Sequence, residues 1–114
     1  MASDQTDLLS KLQKAGEGKE LIIPVNGVYF DQMKAGTKTE EYRLVTDHWR
    51  KRLEGRSYDR LTLTRGYPSR DDAERRLTVP WRGYTVKTIT HPHFGPDPVE
   101  VFAIRVQRQG AEHG

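Results

Sequence analysis

The chain has 114 residues, 34% hydrophobic and 31% charged, with nineteen Lys or Arg against sixteen Asp or Glu and a net charge of +3. That length predicts one domain with a single modest core, and so polar a composition favours a small fold with much solvated surface over a large layered one. The absence of cysteine excludes disulfides, thiolate metal sites and a cysteine nucleophile, and no apolar run is long enough to cross a bilayer.

The segment Met1 to Asp7 lacks the basic start and apolar centre of a signal peptide, so a soluble, cytoplasmic protein is expected. Residues 1–19 read as a polar tail or a short helix whose one apolar face is Leu8, Leu9 and Leu12. Leu21 to Val25 is the first expected strand, with Pro24 near its end, where a missing donor matters least. Asn26 is placed to cap a helix with Tyr29, Phe30 and Met33 on one face, and Gly36 to stop it in the left-handed conformation.

From Thr39 the side chains should alternate, with Thr39, Glu41 and Arg43 on one side and Glu40, Tyr42 and Leu44 on the other. Lys38 lies just before that alternation. Thr46 or Asp47 can cap a helix through Leu53, stopped by Gly55, with Trp49 and Leu53 toward the core. Arg60 to Arg65 predicts a strand with Leu61 and Leu63 inward, and Gly66-Tyr-Pro-Ser69 a turn with an aromatic at its tip. Asp71 to Arg76 reads as one helical turn, by the capping-box spacing of Ser69 and Asp72, or as a loop. Leu77, Val79 and Trp81 predict a strand that Pro80 pushes to an edge or a bulge and that Gly83 to Thr90 continues. His91 to Pro98 is a loop, Val99 to Val106 a closing central strand, and 108–114 a flexible tail.

Charge is uneven along the chain. Between Arg43 and Arg82 there are eleven Lys or Arg against six Asp or Glu, a local +5, while the remainder sums to −2. Arginine outnumbers lysine twelve to seven, and its planar fork suits phosphate and stacked bases. Such a bias fits a nucleic-acid face or a solvated, ion-paired surface.

The densest polar chemistry falls at the junction from helix to strand, Gly36-Thr-Lys-Thr-Glu-Glu-Tyr-Arg43. Gly36-x-Lys38-x-x-Glu41-x-Arg43 resembles the G-x-K-x-x-E-x-R signature of ASCH domains, and the resemblance runs from about Leu21 to Val106. It implies an α+β fold built as a small PUA-like β-barrel of five to six strands with short flanking helices, over residues 20–107. It also implies a cleft, lined by the signature, that takes single-stranded RNA or a modified nucleoside. Some members resemble ribonucleases or acetylcytidine amidohydrolases; in the latter the motif lysine is joined by a threonine three residues on and by a more distant glutamate. Here the third position after Lys38 is Glu41; Thr39 has the hydroxyl without the spacing, and Glu74 matches the distant acid by position alone.

Lys38 can act as a neutral amine if desolvated, as a phosphate or oxyanion clamp if charged, or merely pair with Glu41. Glu41 is a candidate general base for a water or a 2′-hydroxyl, and Arg43 a holder of phosphate or carbonyl oxygen. Thr39, Arg65, Tyr67, Arg75 and Arg76 complete the expected substrate contacts, with Tyr67 stacking on a base. His91 and His93 are spaced to face one metal, but with His48 and His113 the only others, a solvated loop pair and no metal or cofactor are expected. Three functions remain open: a hydrolase acting on RNA or a modified nucleoside, a non-catalytic reader of the same ligands, and a protein-interaction module.

Overall fold

The computed structural model describes residues 19–107, so the expected tails, including the Leu8, Leu9 and Leu12 face, lie outside the described residues. In chain order these residues form β1 (Glu20–Val25), α1 (Gly27–Ala35), β2 (Glu40–Leu44), α2 (Asp47–Leu53), β3 (Arg60–Arg65), β4 (Arg76–Pro80), β5 (Tyr84–Ile89) and β6 (Val99–Arg105), with 3-10 turns at Ala73–Arg75 and Pro92–Phe94. No helix among them is long and apolar enough to cross a membrane.

The strands form two three-stranded sheets, β1-β3-β4 and β2-β6-β5. This corrects the expected barrel: the fold is α+β, but neither sheet closes. The break is local in origin. Pro80, with no amide to donate, ends β4, and Gly83 at φ 79° turns the chain, where Arg105 Nη1 holds the Arg82 carbonyl at 2.9 Å. What looked like one continued strand is therefore divided, β4 pairing with β3 and β5 with β6.

Each sheet has a central strand, β3 in one and β6 in the other. β3 runs parallel to β1 and antiparallel to β4, so Thr62 and Thr64 are buried as well as Leu61 and Leu63. The Thr62 hydroxyl is satisfied by Glu20 and by Thr78 at 2.9 Å. β6, apolar on both faces, lies between β2 and β5, with Phe102 and Ile104 fully buried. Phe30 and Met33 from α1, Leu53 from α2 and residues of both sheets share one core.

The helix caps fall where the sequence puts them. Asn26 Oδ1 accepts the Tyr29 amide at 2.9 Å, and Thr46 Oγ1 that of Trp49 at 3.3 Å. The 3-10 turn after β3 is capped by Asp72, whose side chain accepts from Arg75 N; Ser69 instead donates to Asp71. Gly36, at φ 87°, closes α1 and lets the Thr37 and Lys38 amides both reach the Gln32 carbonyl, at 2.9 and 3.2 Å. A Cβ on Gly36 would meet nothing within 4 Å, so the whole cost of Gly36→Ala is backbone strain. It is expected to destabilise the fold by about 1–2 kcal/mol in urea unfolding, with an unchanged m-value.

Candidate functional site

A cleft of about 610 Å³ opens between the end of β1, the start of α1, β2, the first turn of α2 and the loops carrying Tyr67 and His91 to Phe94. Strand alternation brings Glu41 and Arg43 to it together. Arg43 Nε donates to Glu41 Oε2 at 3.0 Å, its Nη2 lies 2.8 Å from the same oxygen, and Nη2 also donates to the Pro24 carbonyl at 2.8 Å. Its guanidinium lies 5.2 Å from the centre of the Trp49 ring, and that of Arg52 lies 5.1 Å from it. Trp49 is thus a partly buried platform for arginine, packed against the core as its spacing with Leu53 predicts.

Glu41 is only 5% exposed, and both of its bonds to Arg43 fall on one oxygen. Burial pushes its carboxyl above the usual carboxylate range, against the opposing charges of Arg43, Lys38 and His93 and the Arg43 hydrogen bond. Desolvation therefore outweighs a salt bridge. Among the described residues no hydrogen bond or ion pair engages the other oxygen, Oε1.

Lys38 has aromatic neighbours rather than a carboxylate partner. Its Nζ lies 4.9 Å from the centre of the Tyr29 ring and 4.7 Å from that of Tyr42, and among the described residues no carboxylate is within 4 Å of it. The simple Lys38–Glu41 ion pair is not formed, because Arg43 takes the carboxylate. Partial burial lowers the Lys38 pKa from the ordinary lysine value, opposed by the more distant charges of Glu41 and Glu40. Tyr42 is fixed as one wall by its hydroxyl, which donates to Glu40 at 3.0 Å while Lys87 holds the same carboxylate at 2.8 and 3.0 Å.

Tyr67 stands at the rim, 91% exposed. Its turn is anchored by Gly66 N to the Val25 carbonyl at 2.9 Å and by Thr64 Oγ1 to the Gly66 carbonyl at 2.7 Å. The chain matches no protein-family model, no curated protein and no solved structure. Its chemistry is therefore read from geometry.

Of the residues expected from sequence, Lys38, Glu41, Arg43 and Tyr67 line the cleft, and Thr39, Arg65, Arg75 and Arg76 do not. Thr39 serves through its carbonyl, which accepts the Val106 amide at 2.9 Å. Arg65 pairs with Asp31 at 3.3 Å across the start of α1, and Arg75 with Asp72 at 2.6 Å. Arg76 Nη2 binds the Pro68 and Ser69 carbonyls at 3.3 and 3.2 Å, so it braces the loop that presents Tyr67. Glu74 does not line the cleft either; its carbonyl accepts from Lys34.

The cleft also holds residues that sequence reasoning left out of it: Tyr29, His91, His93 and Phe94. The His91 ring is 6.0 Å from Tyr29 and 6.1 Å from Tyr42, the two rings that flank Lys38. The signal was the pattern His-Pro-His-Phe, since a proline between two histidines at the start of a 3-10 turn restricts the backbone that carries both. Among the described residues, no three of His, Cys, Asp and Glu are grouped to hold a metal ion.

Proposed function

We propose that the cleft receives one base of single-stranded RNA, or a modified nucleoside, and that the chain is a hydrolase acting on it, in the manner that its resemblance to ASCH domains implies. One observation carries this reading: a buried carboxyl with a raised pKa and a half-buried lysine with a lowered one share an aromatic-lined cleft. Groups displaced toward each other from opposite ends of the pH scale are suited to exchange protons near neutrality. Glu41 is the general base, and Lys38 the cation that stabilises developing negative charge.

The dimensions favour a small ligand. About 610 Å³ lies within the ~300–1,000 Å³ range of small-molecule sites, and the exposed Tyr67 offers a face to a splayed base. Arg65 and Arg75, which an extended RNA track would need, are engaged by carboxylates. A non-catalytic reader is the second reading, favoured by the way Arg43 ties Glu41 to the Pro24 carbonyl, since rigid walls serve recognition as well as catalysis.

Incubation with labelled single-stranded RNA and a panel of modified nucleosides, followed for both binding and product, tests the proposal. Product supports the hydrolase, binding without product supports the reader, and neither binding nor product overturns both. Where turnover occurs, the rate should rise with pH as Glu41 ionises, on a limb above the ordinary carboxylate range. It should fall as Lys38 loses its proton, on a limb below the ordinary lysine value. Limbs at the unshifted values would contradict the assignment of these two groups.

A further inference from the structure

The cleft contains a histidine pair that the proposed roles of Glu41 and Lys38 leave unused. His91 and His93 are held by the 3-10 turn Pro92–Phe94, and His91 Nδ1 accepts the His93 amide at 3.1 Å. That bond makes His91 an anchor and fixes its tautomer with the proton on Nε2. Its ring is further wedged against Phe94 at 6.0 Å, besides Tyr29 and Tyr42. His93 differs. It is exposed, touches Tyr29 and Phe94 edge-on at 6.1 and 5.0 Å, and its charge acts on the Glu41 carboxyl. Among the described residues no hydrogen bond engages its ring nitrogens, and it lines the same cleft as Glu41 and Lys38.

Resting on the hydrolase reading and narrowing it, we infer that His93 is the general acid opposite Glu41, with His91 as its positioning residue, and that the substrate is an RNA phosphodiester cleaved by its own 2′-hydroxyl. Glu41 takes the 2′-hydroxyl proton as the 2′-oxygen bonds to phosphorus. The bond from phosphorus to the 5′-oxygen breaks, and that oxygen takes the proton carried by His93. The products of this step are a 2′,3′-cyclic phosphate and a free 5′-hydroxyl; water then opens the cyclic phosphate, adding its hydroxyl to phosphorus and its proton to the departing 2′-oxygen, which leaves a 3′-phosphate and completes the hydrolysis. Lys38, without a close carboxylate, faces the extra charge on the phosphoryl oxygens. Proton exchange with solvent restores Glu41 and His93.

An acid that protonates the leaving group becomes dispensable when the leaving atom is sulfur, because a thiolate departs without a proton. The test compares an RNA oligonucleotide with its counterpart carrying a bridging 5′-sulfur at the scissile bond, using wild type, His93→Gln, His91→Leu and His91→Asn. His93→Gln is expected to slow cleavage of the natural RNA by about 10²–10⁴-fold and to regain most of the rate on the sulfur substrate. His91→Leu removes the anchor and should lower the rate, whereas His91→Asn, which can still accept the amide, should restore it. Thermal melting checks that each variant is folded. Wild-type rates in His93→Gln, an equal loss on both substrates, or unhindered cleavage of a 2′-deoxy linkage would each overturn the inference. If wild type releases product from a modified nucleoside but leaves RNA intact, this inference fails while the hydrolase reading stands; if neither gives product, both fail.

Discussion

Glu41→Gln is expected to bind ligand near normally and to turn it over about 10²–10⁴-fold more slowly. Glutamine keeps the size of the side chain and can still accept from Arg43 Nε, so the wall of the cleft formed with Pro24 and Trp49 should stand. What disappears is a basic oxygen. Calorimetry for affinity and a single-turnover assay for rate separate the two effects; a loss confined to affinity would make Glu41 a contact of a reader. The same variant should change how stability depends on pH. Because the folded pKa of Glu41 is raised, the stability linked to its protonated form is present below the ordinary carboxylate range and is lost as pH rises through the folded value. Glutamine cannot ionise, so that loss should be missing from its stability profile.

Phe102→Ala is expected to cost about 3–5 kcal/mol, the largest effect on stability among these variants. Phe102 is fully buried on β6, the central strand of its sheet, and its ring meets Tyr84 edge-on at 5.1 Å. Removing it forfeits apolar burial and leaves a cavity flanked by strands on both sides, which have little freedom to collapse inward. Denaturant unfolding monitored by circular dichroism checks the value. A cost under 1 kcal/mol would mean that β6 is not the core strand of this fold.

How much of this could be read beforehand follows from the range of each interaction. The caps at Asn26 and Thr46 and the stop at Gly36 act over three or four residues, and the sequence displays them completely. β6 was legible as a central strand because Val101 to Ile104 are apolar on both faces. The division into two sheets was not legible, because whether Tyr84 to Ile89 continues β4 or crosses to β6 depends on partners in β6 that lie beyond an intervening loop. Pro80 and Gly83 marked the break, but an edge strand or a bulge would carry the same residues.

The site divides in the same way. Lys38, Glu41 and Arg43 belong to one short stretch whose spacing shows that the last two share a face. The pairing of Glu41 with Arg43 and the aromatic flanks of Lys38 needed Tyr29 and the course of the backbone. His91 and His93 come from the far side of the chain and reach the cleft only through folding. Arg65, Arg75 and Arg76 lie outside the cleft lining, and a count of charges does not show their local engagement. Asp72, three residues before Arg75, was already a visible partner; Asp31, opposite Arg65, was not.

The parallel pairing of β1 with β3 sets Leu21 opposite Leu61, and the whole of α1, β2 and α2 lies in the stretch between them. That ladder can close only after this long loop has been gathered, so folding should be slower than for a chain of similar size built from hairpins. The same arrangement makes the segment tolerant of change in length. Loop-closure entropy grows only logarithmically, by about 0.6 kcal/mol for each doubling, so insertions at exposed connections such as Gly55 to Ser57 add little to that closure cost. The connection from α2 to β3 can therefore be lengthened in evolution while the register of β1 on β3 is kept.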